Sequence, residues 1–134
     1  MSQENVENVL EAVEAFNRQD ADAFVALASP KVEWEDAMFW SGVARTYRGR
    51  DGLREWFDEV MEAWESIHVE VEETAEAADE RAFVGLFLTG RGAGSGVETK
   101  LRAWQVNWFA DGKTARRRVF LERDEALEAA GLRE

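Results

Sequence analysis

The N-terminal half of the chain carries apolar residues at the three- and four-residue steps of amphipathic helices. The apolar stripe of the first segment consists of Val6, Val9, Leu10, Val13 and Phe16. Asp20 follows a polar break and is placed to cap a second, short helix that carries Phe24 and Leu27. The third helix has the strongest pattern, with a stripe of Leu53, Trp56, Phe57, Val60, Met61 and Trp64.

Other segments alternate apolar and polar residues with a period of two, which is typical of half-buried strands. Residues 31–36 predict such a strand, and one of its faces carries Val32, Trp34 and Asp36. After the third helix, further strands are predicted around residues 67–72, 82–89, 97–109 and 114–122. Asp111-Gly112 predicts a hairpin turn between the last two of them.

The order of these elements predicts an α+β fold in which helices pack on a strongly curved antiparallel sheet that encloses a pocket. Glycines at 90, 92, 94 and 96 predict a bend between strands. No repeat or linker divides the chain, so residues 1–134 are predicted to form a single domain.

Composition narrows the possible partners. The 134 residues carry a net charge of −12, which disfavours nucleic acid and anionic membranes. There is no cysteine, no basic leader with an apolar run, and no stretch of about 18 continuous apolar residues. These features predict a cytoplasmic protein without disulfides.

Asp36 is the candidate catalytic residue, because it ends the inward face of an apolar strand. A carboxyl group at the mouth of an apolar pocket has its pKa raised by desolvation, as a base working near neutrality requires. The alternative is a strand-end aspartate that caps the next loop or pairs with an arginine. The predicted apolar walls of the pocket are Trp34, Trp40, Trp56 and Phe57, and Met38-Phe39-Trp40 is predicted to form a flap over it.

Strand 97–109 has two different faces. Gln105 and Asn107 lie on one, where two amides are predicted to hold a carbonyl or hydroxyl group of a ligand. Trp104 and Trp108 lie on the other, where they would be an exposed apolar patch unless a second subunit covers them, which predicts a homodimer. One alternative is that the two amides satisfy each other and nearby backbone groups. Another is that the tryptophan face points inward and the two amides are solvated.

Arg118 is the candidate for clamping a carboxylate or an oxyanion of the ligand. Strict alternation places it with Arg116 on one face of the last strand, and the alternative is that both pair with acidic residues. His68 is the only histidine, and it has no second nitrogen or sulfur ligand near it in the sequence. No metal and no organic cofactor are therefore predicted.

Several landmarks occur together in an order that resembles the nuclear-transport-factor-2-like superfamily, and more closely its SnoaL-like branch of small bacterial proteins. They are the helix–helix–strand start and the segments YRGRDGLREWFDEVMEAW, GRGAGSGVE, FADGKTARRRVFL and DEALEAAGL. The resemblance covers nearly the whole chain and implies a cone-shaped α+β domain that dimerises through its sheets. The superfamily includes polyketide cyclases, ketosteroid isomerases, epoxide hydrolases, dehydratases and non-catalytic binding modules.

Carried over residue by residue, the resemblance supports one catalytic position. Asp36 falls where the ketosteroid isomerases keep their general base. Ala12 and Gln105 fall where those enzymes place a tyrosine and a protonated aspartate, so the oxyanion partners are missing. The resemblance therefore does not imply a steroid isomerase of the known form.

Three functions remain open at this point. The chain could be a cofactor-independent isomerase, cyclase or hydrolase, with Asp36 as base and Gln105 or Asn107 polarising the substrate. It could instead bind a small, largely apolar metabolite without chemistry. The third alternative is a dimeric interaction module whose cavity is a packing feature.

Overall fold

Six strands form one sheet with four helices against it in the computed structural model, which describes residues 2–37 and 44–132. In chain order the elements are α1 (Ser2–Asn17), α2 (Ala21–Ala26), β1 (Ala28–Ala37), β2 (Ala44–Arg48), α3 (Gly49–Ala63), β3 (Trp64–Ala77), β4 (Arg81–Gly92), β5 (Glu98–Ala110), β6 (Lys113–Phe120) and α4 (Arg123–Ala130). The predicted α+β fold is confirmed.

The strand order of the sheet is β2-β1-β6-β5-β4-β3, and all pairs are antiparallel except β1 with β6. The parallel pair is a difference from the predicted all-antiparallel sheet. A hairpin motif indicates pairing only between strands that follow each other in the sequence. Strands β1 and β6 come from opposite ends of the chain, so no such motif connects them.

The predicted hairpin between β5 and β6 is confirmed. Asp111 and Gly112 have positive φ angles of 53° and 78°, as a two-residue turn of type I′ requires. Three residues after Gly112, the pairing of β5 with β6 is irregular. Trp108 pairs with Arg116 but Phe109 pairs with Thr114, so Ala115 is an extra residue that forms a β-bulge. The bulge reverses the inward–outward alternation within β6.

Helix α1 buries two adjacent stripes. Val9 and Phe16 belong to the predicted apolar stripe and are buried, whereas Leu10 is 39% exposed. The second buried stripe, at the same helical spacing, contains Asn5, Asn8, Ala12 and Ala15, of which Ala12 is half-buried. The contact face of α1 is therefore partly polar.

The end of α1 is fixed to the edge strand β3 by one amide side chain. The Nδ2 atom of Asn17 donates to the carbonyl oxygen of Val69 at 2.8 Å, and the N–H of Val69 donates back to Oδ1 of Asn17 at 2.9 Å. A bidentate contact of this kind satisfies backbone groups that an edge strand leaves without a neighbour. It holds α1 over the inner face of the sheet.

The two faces of the sheet have separate cores. Helices α1, α2 and α3 cover the inner face, where the main core includes Val32, Leu53, Val60, Val84 and Leu88. Helix α4 packs on the outer face against Phe83 and Val106, through Ala126 and Ala130. Within residues 2–37 and 44–132, no helix is long and apolar enough to cross a membrane.

Candidate functional site

A small cavity lies between the inner face of the sheet and the three helices that cover it. Its volume is about 50 Å³, which is less than the roughly 150 Å³ of an engineered apolar cavity that holds benzene. It is lined by Asn8, Val9, Ala12, Val13, Phe16, Phe24, Leu27, Ala28, Trp34, Leu53, Trp56, Val69, Leu86, Gln105, Asn107, Thr114 and Arg117.

One wall of the cavity is a cluster of four aromatic side chains. The ring centroids of Trp34 and Trp56 are 5.1 Å apart, and Phe24 lies 5.5 Å from Trp34 and 5.9 Å from Trp56. Phe16 joins the cluster 6.0 Å from Trp56. These offset and edge-on arrangements are the favourable ones for aromatic pairs, so the wall is well packed. Phe57 contacts Phe16 and Phe24 from behind and does not line the cavity.

Arg117 brings a positive charge into the cavity wall. Its side chain is fully buried, and Nη1 donates to the carbonyl oxygen of Glu35 at 3.0 Å. The guanidinium lies over the indole rings of Trp34 and Trp56, 4.1 and 5.3 Å from their centroids. Burial lowers the pKa of Arg117 to about 9, against the opposing effect of the negative charges of Asp36 and Glu35. The group is still charged at neutral pH.

Arg118, the predicted ligand clamp, lies on the other side of the sheet. Its Nε donates to Oε1 of Glu35 at 3.1 Å, and the Nε of Arg116 donates to Oε2 of the same carboxylate at 3.0 Å. This corresponds to the alternative in which both arginines pair with acidic residues. The cause is the bulge at Ala115, because strict alternation through that residue assigns the wrong arginine to the inner face.

A chain of hydrogen-bonded side chains runs along the opposite side of the cavity. The Nε2 atom of Gln105 donates to Oδ1 of Asn107 at 2.9 Å, and Nδ2 of Asn107 donates to Oγ1 of Thr114 at 3.2 Å. The hydroxyl group of Thr114 donates to Oδ1 of Asn8 at 3.4 Å. Finally, Nδ2 of Asn8 donates to the carbonyl oxygens of Leu27 and Gly112, each at 3.1 Å. Gln105 and Asn107 therefore face inward and are linked to each other.

Asp36 is buried on the inner face of β1, two residues beyond Trp34. Asp36 does not line the cavity, whereas Arg117 does. The negative charge of Asp36 acts on Arg117. Pairing with an arginine was the alternative given for this carboxylate, beside a position at the mouth of an apolar pocket. The structure adds a buried positive charge, that of Arg117, and the negative charge of Asp36 favours the charged form of that guanidinium.

The predicted and observed residues of the site overlap in part. Trp34, Trp56, Gln105 and Asn107 meet at one cavity, and Trp40 lies outside the described residues. Sequence reasoning missed Arg117, Thr114 and Asn8. A signal for Asn8 was present, because residues 5, 8, 12 and 15 repeat at helical spacing beside the apolar stripe. Among the residues that the structure describes, no three or more His, Asp or Glu side chains are grouped to hold a metal ion.

The fold and this site define a member of the nuclear-transport-factor-2-like superfamily. Residues 9–117 match the SnoaL-like domain, and the chain belongs to that family. No curated protein sequence matches the chain at a significant level.

Solved structures support the same assignment. A nuclear-transport-factor-2-like protein of unknown function from Burkholderia pseudomallei is similar with a TM-score of 0.79 and 23% identity over 95% of this chain and 97% of that chain. TerC, co-crystallised with polyporic acid, has a TM-score of 0.77 and 22% identity over 95% and 97%. SalBIII is an epoxide hydrolase/cyclase-like enzyme in pyran ring formation in polyether salinomycin. It has a TM-score of 0.76 and 23% identity over 91% of this chain and 93% of that chain. At these identities the similarities establish the fold.

Proposed function

We propose that this chain binds a small, largely apolar molecule in the cavity between the sheet and helices α1 to α3. The observation that carries the proposal is the combination of a packed aromatic wall with a few buried polar groups, Arg117 and Gln105 among them. Ligand sites typically pair an apolar lining with a small number of polar groups that fix orientation. The structural relative TerC was crystallised with a small organic molecule, polyporic acid, which supports this use of the fold.

The size of the cavity sets a condition on binding. At about 50 Å³ it holds only a few non-hydrogen atoms without rearrangement. A ligand of the size of benzene or larger must displace wall side chains, and this displacement reduces its affinity. A narrower cavity should therefore weaken binding sharply.

Titration with toluene, followed by tryptophan fluorescence and by the melting temperature, tests this proposal, since Trp34 and Trp56 line the cavity. We expect saturable binding to the wild type and at least tenfold weaker binding to Ala12→Val, which adds two methyl groups at the wall. Ala26→Val is the matched control, because Ala26 is an exposed helical alanine. Absence of saturable binding to the wild type, or equal binding to both variants, would count against the proposal.

A second candidate function is acid–base catalysis without a cofactor, of the isomerase, cyclase or hydrolase kind. The observation that favours it is the buried carboxylate of Asp36 in electrostatic contact with Arg117, which lines the cavity. Asp36 does not line the cavity, so this proposal requires the wall beside Arg117 to open; Asp36 then abstracts a proton next to a carbonyl group or activates a water molecule. Arg117 stabilises the developing oxyanion, the role that the sequence analysis gave to Gln105 or Asn107.

For a substrate identified by native mass spectrometry from a metabolite extract, we expect Asp36→Asn to lower kcat at least 100-fold, which is the scale of a lost general base. Glu35→Gln is the control, because Glu35 is the adjacent carboxylate and its side chain pairs with Arg116 and Arg118. Circular dichroism should show that both variants are folded. Unchanged turnover in Asp36→Asn would leave the non-catalytic binding module as the preferred function.

We also propose a homodimer formed through the outer face of the sheet. Trp104 and Trp108 lie on that face and are half-buried, because α4 covers part of it and Arg116 stacks on Trp108 at 4.9 Å. The apolar surface left for a partner is smaller than the sequence predicts. A cytoplasmic location also remains a prediction, which cell fractionation would test.

Sedimentation equilibrium tests the dimer. We expect a dimer for the wild type and at least tenfold weaker association for Trp108→Ala, since tryptophan at an interface centre commonly contributes more than about 2 kcal/mol. Trp64→Ala is a control from the other end of the sheet. A wild-type monomer at high micromolar concentration would contradict the proposal.

A further inference from the structure

We propose that the cavity selects ligands that carry a hydrogen-bond donor, such as a hydroxyl or N–H group on an apolar body, and that the carbonyl oxygen of Gln105 accepts this bond. The inference rests on the proposed binding function and specifies the chemistry of the ligand. It follows from the direction of the hydrogen-bond chain formed by Gln105, Asn107, Thr114 and Asn8.

The direction of the chain is fixed at its far end. Asn8 contacts the backbone carbonyl oxygens of Leu27 and Gly112, which only accept hydrogen bonds, so its NH₂ group must point to them. Its Oδ1 atom then faces Thr114 as an acceptor, and the hydroxyl group of Thr114 donates to it. A hydroxyl group that donates there is left to accept from Asn107 on its other side.

The hydrogen bonds of Asn107 determine which side-chain atom of Gln105 is left for a ligand. Because Asn107 donates through Nδ2 to Thr114, its Oδ1 faces Gln105 and receives a bond from Nε2. The carbonyl oxygen of Gln105 makes no hydrogen bond to any residue within 2–37 and 44–132. Reversing both amides would make the hydroxyl group of Thr114 donate to Asn107 and leave Oδ1 of Asn8, which is buried, without its donor.

Other residues that line the cavity supply hydrogen-bond donors. The indole N–H of Trp34 is buried and has no hydrogen-bond partner in the described part of the chain, and Trp34 lines the cavity. The charged guanidinium of Arg117 lies over the same indole ring. A hydroxyl group donates and accepts, so it satisfies Gln105 and one of these donors together. A purely apolar ligand leaves the carbonyl oxygen of Gln105 and the indole N–H of Trp34 without partners, which carries a free-energy cost.

The test compares phenol with toluene. The two molecules have nearly the same shape, but phenol carries a hydroxyl donor where toluene carries a methyl group. For each protein the ratio of the toluene Kd to the phenol Kd is measured by calorimetry or tryptophan fluorescence. Dehydration of each ligand is the same for every variant, so a change in this ratio reports only the site. We expect Gln105→Met, which keeps the length of the side chain and removes the acceptor, to lower the ratio about tenfold, the scale of one buried hydrogen bond.

Two further variants separate the possible outcomes. Thr114→Val removes the hydroxyl group that orients the amides, so it should lower the ratio although Gln105 is intact, whereas Gln19→Met on an exposed turn should not. If toluene binds and the ratio is the same in the wild type, Gln105→Met and Thr114→Val, the donor inference is wrong and the binding function stands. If neither ligand binds the wild type, the proposed function itself fails.

Discussion

Arg117→Met is expected to lower the free energy of unfolding by about 3–5 kcal/mol, the cost of removing one partner from a buried charged pair. Methionine replaces the aliphatic length of the side chain, so little packing volume is lost. The loss comes from charge. Asp36 is buried and its negative charge acts on Arg117, so the substitution removes a positive charge that compensates this carboxylate. Urea unfolding at pH 7 measures the effect.

The double variant Asp36→Leu/Arg117→Met should regain most of this stability, because a buried ion pair replaced as a whole by apolar groups is often neutral or stabilising. Arg118→Met is the matched control on the same strand. Its side chain is 42% exposed and pairs with Glu35, and exposed pairs contribute at most about 1 kcal/mol. If Arg117→Met were as stable as Arg118→Met, the charge of Arg117 would have no structural role.

The same pair revises an expectation about Asp36. With only apolar neighbours, Asp36→Asn would leave folding intact, since removing a desolvated charge rarely destabilises a protein. With Arg117 buried nearby, the substitution removes one of the negative charges that act on its guanidinium. Some loss of stability is therefore expected, and activity measurements on Asp36→Asn need the folding control.

The fold was predictable from sequence because its signals are local. Helical spacing located α1 and α3, and Asp20 caps α2 as predicted, accepting from the backbone N–H of Ala23 at 3.1 Å. Asp111-Gly112 fixed the last hairpin. The parallel pairing of β1 with β6 was missed, because it joins segments about 80 residues apart, and no turn motif records such a contact.

The site was predictable only where alternation is regular. On β1 and β5 it is. Trp34 was assigned to the inner face that it occupies, and of the two interpretations left open for β5 the structure has the one with Gln105 and Asn107 inward. On β6 the bulge at Ala115 moves Arg117 inward and Arg118 outward. A bulge is set by how two strands pair, so the sequence of one strand does not reveal it. The hydrogen-bond chain that ends at Asn8 depends on contacts among α1, β5 and β6, and the periodicity of a sequence does not predict such contacts.

Trp56→Ala is expected to destabilise the protein by about 3–5 kcal/mol, the range for removing a buried aromatic side chain. Trp56 is 2% exposed, and its ring lies within 6.0 Å of the rings of Phe16, Phe24 and Trp34. Its removal also takes away one of the two rings on which the guanidinium of Arg117 lies. Thermal and urea unfolding measure the loss.

The substitution also tests whether the cavity accepts ligands once space is present. Trp56 lines the existing cavity, so Trp56→Ala enlarges that cavity by about the volume of an indole ring. Added indole should bind there, and at 100 times its Kd it should restore about 2.7 kcal/mol. Phe87→Ala is the matched control, where a smaller loss and no rescue by indole are expected, since Phe87 is half-buried and does not line the cavity. Failure of indole to stabilise Trp56→Ala would mean that the aromatic wall collapses into the space, and a cavity that closes in this way is a packing feature of the core.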